Sequence, residues 1–533
     1  MRLSVSLLSL IALGLGLSTA SVLAGEPELF SEVEIDFEHR WVKSVHPFLG
    51  AAVIDVDNDG RFEIFVGGGE GSPDGLFRYR DGAFHNVIEA TGLSSDTATY
   101  GAKAIDMDAD GDTDMVIARN DGVYLYLNDG SGSFSRHNIP VSLPANSAPF
   151  DVAIGDIDRD GDADLYVSVF VEFPSFMSAT FNDPDHAKTN RMLLNQGDNT
   201  FVDVTEQTGV AGAANTFCAV FTDLDLDGWQ DLVVAQNTWQ VEIFRNLGDL
   251  HFSSIPTNTG YGFWMGVGVG DIDSDGDQDL YFPNVGTSIP EFLTRGDIRE
   301  DQRHTHDWAL LRNDGNMRFS DITVASGLDG EGFAWGGVFE DVDLDGNLDL
   351  FVAQNYIKWP FHKLSKLSKL SGKTSLQGAN TVFRDAPELG LENRNYGQSS
   401  LIVDFDGDGY QDYLWTNMDG PLRAFRRTSG GDYLTVMLSD NVENLGARTR
   451  LMTNRGESHV REIVQGEGYM TDQSPERTFA IGGRSVEAIV VTWPDGHVER
   501  VTAPARNSKV MVARGAARAD GSGTPGGTAD AHP

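Results

Sequence analysis

Short apolar runs separated by acidic, glycine-bearing turns fill the chain from about residue 50 to about residue 425. Runs such as Asp164-Leu165-Tyr166-Val167 and Asp231-Leu232-Val233-Val234 are rich in β-branched and aromatic side chains and predict strands. Downstream of most acidic turns comes a second pattern: an apolar strand, an Asn/Asp/Gly turn, then a strand centred on Phe. It reads Leu194-Asn195-Gln196-Gly197 with Phe201, and Leu311-Arg312-Asn313-Asp314-Gly315 with Phe319, and similar turns lie at 128–130 and 246–248. Each unit therefore predicts four antiparallel strands, the acidic loop joining strands 1 and 2 and the Asn-Gly turn joining strands 3 and 4.

The acidic turn is one motif, D-x-D-x-D-G-x-x-[DE], present seven times at spacings of 48 to 70 residues. Carboxylates at positions 1, 3, 5 and 9 and the carbonyl of position 7 can converge on a hard cation once the glycine at position 6 allows a sharp turn. The first copy offers Asp55, Asp57, Asp59 and Glu63 with the carbonyl of Arg61. The second offers Asp106, Asp108, Asp110 and Asp114 with Asp112, and the third Asp156, Asp158, Asp160 and Asp164 with Asp162. In the fourth they are Asp223, Asp225, Asp227 and Asp231 with Trp229, and in the fifth Asp271, Asp273, Asp275 and Asp279 with Asp277. The sixth has Asp341, Asp343, Asp345 and Asp349 with Asn347; the seventh has Asp404, Asp406, Asp408 and Asp412 with Tyr410. An EF-hand is excluded, because position 12 is apolar in every copy (Val66, Ile117, Val167, Val234, Phe282, Val352, Trp415) where that loop needs a bidentate Glu. Four carboxylates so close repel one another without a cation, so the expected cofactor is Ca2+, up to seven ions.

Seven four-stranded units predict an all-β fold, a seven-bladed β-propeller whose radial repetition protects the sheet edges. The seventh unit lacks a Phe-centred fourth strand, whereas residues 29–37 alternate as a strand with no unit of their own. That strand is expected to close the ring by completing blade seven; the competing arrangement is an open array of eight elements. The loops resemble the FG-GAP or VCBS-type repeats of integrin α-subunit propellers, over residues 28–427. After Gly430-Gly431 the acidic loops stop, and short strands follow, among them two joined by the Pro494-Asp495-Gly496 turn. Residues 432–513 resemble the ASPIC/UnbV domain through Gly446-Ala447-Arg448, Gly466-Glu467-Gly468-Tyr469, Phe479 with Ile481-Gly482, and Trp493-Pro494-Asp495-Gly496. They depart from it in a shortened loop at 441–445 and in Tyr469-Met470-Thr471-Asp472-Gln473, where a serine usually precedes the glutamine. A propeller followed by this domain resembles the cartilage acidic protein family. Residues 514–533, rich in Gly, Ala, Pro, Thr and Asp, predict a disordered tail.

The 533 residues carry 80 Asp and Glu against 39 Lys and Arg, a formal charge of -41 that disfavours nucleic acid as a partner. Residues 1–24, with Arg2, an apolar run over 3–17 and a small-residue end at Ala24, have the layout of a secretory signal peptide. No later stretch reaches the apolar length of a membrane helix, so the mature chain is expected to be exported: periplasmic, cell-surface or extracellular. The only cysteine, Cys218, lies in the apolar stretch 217–221 and is expected to be a buried structural thiol.

The 2–3 connections of a propeller share the face opposite the acidic loops, and three long insertions fall there: 169–190, 284–307 and 354–379. The first holds Phe170, Phe173, Phe176, Phe181 and His186; the second Arg295, Arg299, His304 and His306; the third Tyr356, Trp359, His362 and a Lys-Leu-Ser repeat over 363–369. These side chains either recognise a ligand or pack the loops down. His304 and His306 form a candidate transition-metal pair in need of a third ligand. Aromatics six to eight residues before each acidic loop (Phe48, Tyr100, Phe150, Phe217, Trp264, Trp335, Tyr396) are expected near the mouth of the channel, as packing between blades or as a stacking platform. No nucleophile elbow, zincin or phosphate-loop motif is present. The sequence therefore reads as an exported calcium-binding protein that binds or adheres to an extracellular glycan or protein. The alternative is a calcium-dependent polysaccharide lyase or hydrolase with its site on the insertion face.

Overall fold

The computed structural model of the chain describes residues 29–173, 187–354, 371–439, 441–502 and 504–515. The expected leader (1–24), nearly all of the expected tail (514–533), and Phe176, Phe181, His186, Tyr356, Trp359, His362 and the 363–369 repeat lie outside the described residues.

Seven sheets, each with four antiparallel strands in its main path, follow one another along the chain. The second is typical: Thr99–Ile105, Asp114–Arg119, Gly122–Asn128 and Phe134–Ile139, in that order from the inside outwards. The first strand of each unit is the innermost: Ala51–Ile54, Thr99–Ile105, Ser147–Gly155, Asn215–Thr222, Gly268–Gly270, Ala334–Glu340 and Gly397–Val403. Inner strands of sheets one to four touch in turn, as do those of five to seven, and the seventh meets the first. The fourth and fifth sheets share an apolar cluster containing Val220, Val233, Val267 and Val269. Buried on both faces, these strands read as near-continuous apolar runs, and the ring is a β-propeller.

The ring closes on the N-terminal strand. Phe30–Val33 is the outer strand of the seventh sheet, antiparallel to Arg423–Arg427 with Phe30 opposite Arg427 and Val33 opposite Ala424. Arg423 Nε lies 2.7 Å from Glu32 Oε1, and the Leu29 carbonyl accepts from the Thr428 N–H at 2.9 Å. Chain ends almost 400 residues apart thus share one blade. A second short pairing, Glu38–His39 with Gly420–Pro421, covers the same blade further along.

Residues 432–512 form two small sheets. One has Tyr433–Met437 between Glu476–Ala480 and Ser508–Met511; the other has the order Gly456–Glu457, Arg448–Thr453, Val486–Thr492, Val498–Thr502. This unit sits on the acidic-loop face of the ring. Asp271 Oδ2 accepts from the Val460 N–H at 2.8 Å, Glu462 Oε1 accepts from the Asp223 N–H at 3.1 Å, and Lys509 Nζ is 3.5 Å from Asp404 Oδ2.

A segment of this unit, 464–473, also enters the centre of the ring. Gly468 exchanges hydrogen bonds with Val267 at 2.8 and 2.9 Å, and Thr471–Asp472 lies parallel to Ala51 and Ala52 as an added strand. Tyr469 is wholly buried, its ring 5.5 Å from Phe48, 5.7 Å from Phe217 and 5.4 Å from Trp335. The aromatics that the sequence places near the channel mouth are thereby resolved. Phe48, Tyr100, Phe150, Phe217 and Trp335 are buried packing around this plug, Tyr396 borders it, and none of the five offers an open stacking platform. Trp264 departs from the expected placement: it packs into the cluster between blades four and five, and Met265 takes the inward place.

Two outcomes follow from the closure and the plug. Deleting residues 25–38 bares the edge of Arg423–Arg427 and converts a monodisperse protein into aggregates on size exclusion. Tyr469→Ala lowers the unfolding free energy in denaturant by about 3–5 kcal/mol, the range for removing a buried aromatic side chain.

Candidate metal centres

Each acidic loop turns twice through the left-handed region. The glycine at position 6 does so in every copy, with φ from 79° at Gly60 to 99° at Gly346. An added Cβ at Gly111 meets nothing, so backbone conformation rather than space demands glycine there. Position 4 is left-handed as well, at Asn58, Ala109, Arg159, Leu226, Ser274, Leu344 and Gly407. Sequence reasoning missed that second turn, because only one of those seven residues is a glycine. For Leu226 and Leu344 it costs about 1–2 kcal/mol.

The turns point the carboxylates inwards and supply amide donors to them. In the second copy Asp106 accepts from the Asp110 and Gly111 N–H groups at 3.2 and 3.1 Å, and Asp110 accepts from the Asp112 N–H at 2.9 Å. Position 9 is held from two elements at once. Asp114 accepts from the Met107 N–H of its own loop at 2.9 Å and from the Asn128 N–H of the third strand at 2.7 Å. The same pair recurs at Asp164, Asp231, Asp279, Asp349 and Asp412. In the first copy Glu63 accepts from Val56 N–H and gives its other oxygen to the Arg78 guanidinium.

The asparagine of the strand 3–4 turn has a role its sequence position did not disclose. Asn128 Nδ2 donates 3.0 Å to the carbonyl of Val56, in the loop of the preceding blade. Asn246 does the same to Ile157 at 2.9 Å, Asn313 to Leu224 at 2.8 Å, Gln377 to Ile272 at 2.7 Å and Arg427 to Val342 at 2.8 Å. Five of the seven loops are thus held by the next blade, whereas Asn195 of blade three donates instead to the Ala163 carbonyl of its own loop at 3.2 Å.

In each of five loops the structure brings three of the four sequence-named carboxylates together. Oxygens of Asp55, Asp57 and Glu63 lie within 4.8 Å of one another, as do those of Asp106, Asp108 and Asp114, of Asp156, Asp158 and Asp164, and of Asp271, Asp273 and Asp279. In the fourth loop the trio is Asp223, Asp225 and Asp227. Asp57 Oδ1 and Asp225 Oδ1 are buried without a hydrogen-bond partner. Burial first, and the neighbouring carboxylates second, push position 9 upwards: to about 7 at Asp114, about 8 at Asp164, Asp231 and Asp279, and about 9 at Asp349. A cluster of oxygen donors that resists ionisation until a positive charge arrives, with oxygens left unpaired, fits a hard cation. Positions 5 and 7 line the same turns, position 7 holding its amide on the position-5 carboxylate.

Elsewhere, His304 and His306 stand with ring centroids 4.1 Å apart; His306 Nε2 is 3.0 Å from Thr294 Oγ1, and both ring nitrogens of His304 lack a partner. Cys218 is buried beside the plug, its sulfur 3.7 Å from the Gly466 carbonyl, and burial raises its thiol well above the ordinary range. It is structural, as expected. Among the described residues no helix is long and apolar enough to cross a membrane.

The family model described as FG-GAP-like repeat matches residues 55–117, 106–167 and 223–282, and the one described as ASPIC and UnbV matches 438–519. Cartilage acidic protein 1 of Homo sapiens is 24% identical over 473 residues, and that of Mus musculus 23%; each alignment covers 84% of this chain. The chain spans 60% of the human relative's length and 61% of the mouse relative's. Among solved structures, an Agrocybe aegerita lectin specific for non-reducing terminal N-acetylglucosamine aligns with 70% of this chain and 93% of its own, at 16% identity and a TM-score of 0.40.

The raised position-9 groups give the cation-free chain a distinctive pH profile. A carboxyl whose folded pKa exceeds its unfolded value binds more protons when folded, so its contribution to stability falls as pH rises through the folded pKa. The buried histidines His39, His46 and His459, depressed to about 4, 3 and 3, act in the opposite sense, but only below their ordinary value of 6.5. In excess chelator the melting temperature therefore falls by roughly 5 °C or more between pH 6.5 and pH 9. A melting temperature that rises across that window contradicts the assignment.

Proposed function

The chain belongs to the cartilage acidic protein family, and we propose that it is an exported calcium-binding module for an extracellular glycan or protein. The observation that carries this reading is the sevenfold recurrence of one turn that gathers its carboxylates inwards, with an oxygen left unpaired at Asp57 and at Asp225. Ca2+ is the cation such hard, flexible, oxygen-only sites favour, and up to seven ions are held. The ligand set in each loop is the carboxylates of positions 1, 3, 5 and 9 with the carbonyl of position 7.

Export rests on the signal-peptide layout of residues 1–24, ahead of a propeller over 28–427, an ASPIC/UnbV-like domain over 432–513 and a tail over 514–533. The likeness to the cartilage acidic proteins supports an extracellular setting. The strongly acidic surface argues against nucleic acid as a partner. Because the C-terminal sheets cover part of the acidic-loop face and their plug fills the centre, the ligand surface falls on the opposite face, where the 169–190, 284–307 and 354–379 insertions emerge from a rigid ring.

A cation bound only by the native state stabilises by RT ln(1 + [L]/Kd), roughly 2.7 kcal/mol per site at a hundredfold excess over Kd. Melting in millimolar calcium is expected many degrees above melting in chelator, and Asp108→Ala lowers the bound calcium by about one ion per chain. Identical curves sink the calcium reading. Screening the purified chain against glycans and matrix polymers, with and without calcium, tests the binding role, and release of product from any of them would show turnover instead.

A further inference from the structure

The seven loops differ in one residue of the third strand beside them. On the third strand, one residue follows the position that faces the start of the second strand: after Phe77 opposite Ile64, Phe244 opposite Leu232, Leu311 opposite Leu280 and Phe425 opposite Tyr413 comes an arginine. These are Arg78, Arg245, Arg312 and Arg426, in blades one, four, five and seven. After Tyr126 opposite Met115, Leu193 opposite Leu165 and Ser375 opposite Leu350 comes a leucine instead: Leu127, Leu194 and Leu376, in blades two, three and six.

Every one of these arginines points its guanidinium at the position-3 carboxylate of its own loop. Arg78 Nη2 is 2.8 Å from Asp57 Oδ2 and its Nε pairs with Glu63. Arg245 Nη2 pairs with Asp225 and lies 3.1 Å from Asp227. Arg426 Nη1 is 3.7 Å from Asp406 Oδ2, and Arg312 Nε is 3.9 Å from Asp273 Oδ2, with its other contact on Asp314 at 2.6 Å. Leu127, by contrast, lines the same hollow as Asp106, Asp108 and Asp110 and brings no charge. Near the leucine-bearing loops Arg384 pairs with Glu388, Arg427 with the Val342 carbonyl, and Arg159 lies over the Trp229 ring with the Gly228 carbonyl; Arg384 and Arg427 act on Asp343 at longer range, and among the described residues none of the three makes an ion pair with a position-3 carboxylate.

Resting on the calcium reading above, we propose that the seven sites fall into two affinity classes set by this third-strand residue. Blades two, three and six bind tightly; blades one, four, five and seven bind more weakly. A guanidinium within 4 Å of a ligand carboxylate offsets negative charge in the set and repels the incoming dication, and calcium affinity in oxygen sites is tuned by ligand charge. The protein thus keeps three ions at low calcium and fills the rest only as calcium rises.

Competition of the full chain with a chromophoric calcium chelator, followed by calorimetric titration, resolves the classes. Three sites are expected at least tenfold tighter than the other four. Arg245→Leu, at a side chain 38% exposed, should move one site into the tight class, and Leu127→Arg should move one out of it. Melting in saturating calcium checks that each variant folds, and Arg426→Leu replaces Arg245→Leu if that variant does not. Seven equivalent sites, or class sizes unchanged by every substitution, overturn the inference while leaving calcium binding intact. No calcium bound at all overturns the reading beneath it and this one together.

Discussion

Burying a carboxylate without water is the constraint on which this molecule is organised. The position-9 side chain is inaccessible in all seven loops, Glu63 included. An ionised group in that place is tolerable only if it is hydrogen-bonded and neutralised. The fold meets the first condition by making the carboxylate a structural joint. In six loops one oxygen takes the amide of position 2 and the other an amide of the third strand, and Glu63 takes the Val56 amide and the Arg78 guanidinium, so this carboxylate also sets how strands one to three assemble. The second condition is one that a cation held in the cluster would meet. Fold and candidate metal site are therefore one arrangement, and Asn128, Asn246, Asn313, Gln377 and Arg427, each reaching from its own blade to the previous loop, pass the constraint between blades.

The ring and the C-terminal sheets are equally inseparable. Lys103 is fully buried on an inner strand, its Nζ 2.6 Å from Asp151 Oδ1 and 3.1 Å from the carbonyl of Thr471 in the plug. Arg461 of the C-terminal unit lies 2.6 Å from Glu340 of blade six, again out of water. Removing one partner from such pairs leaves a buried charge uncompensated, at a cost of roughly 3–5 kcal/mol each. A propeller stripped of residues beyond 430 would expose the Phe48, Phe217 and Trp335 cluster and strand Lys103 without its Thr471 contact. A central channel closed in this way is a core.

How much of this was legible in the sequence depends on the distance over which each contact acts. The loops were legible residue by residue because their carboxylates lie within nine positions and the spacing never varies. Ring closure by residues 29–37 was also legible, since one strand too many at the start matched one too few at the end; the structure pairs Phe30–Val33 there. The second left-handed residue was not, because Leu226 and Leu344 carry no sign of the conformation that the loop imposes on them. Nor was the asparagine staple, which acts between blades, or the path of 464–473, whose partners stand 70 to more than 400 residues away.

A signal for the plug did exist, in the repeats themselves. Five residues before each acidic loop the chain reads Gly50, Gly101, Asp151, Cys218, Gly266, Gly336 and Ser399. All are small, whereas the residue just before each is large: Leu49, Tyr100, Phe150, Phe217, Met265, Trp335 and Gln398. In an inner strand with nothing in the channel, that register would gain burial from bulky side chains. Instead, an added Cβ on Gly266 would come within 2.0 Å of the Gly468 carbonyl oxygen, and one on Gly336 within 3.1 Å of the Tyr469 nitrogen. Ser399 Oγ accepts from the Tyr469 N–H at 3.1 Å, and Asp151 holds the lysine that reaches Thr471. A row of small residues kept at one register of a repeat marks where another backbone passes, and here that backbone belongs to the chain's own C-terminal unit.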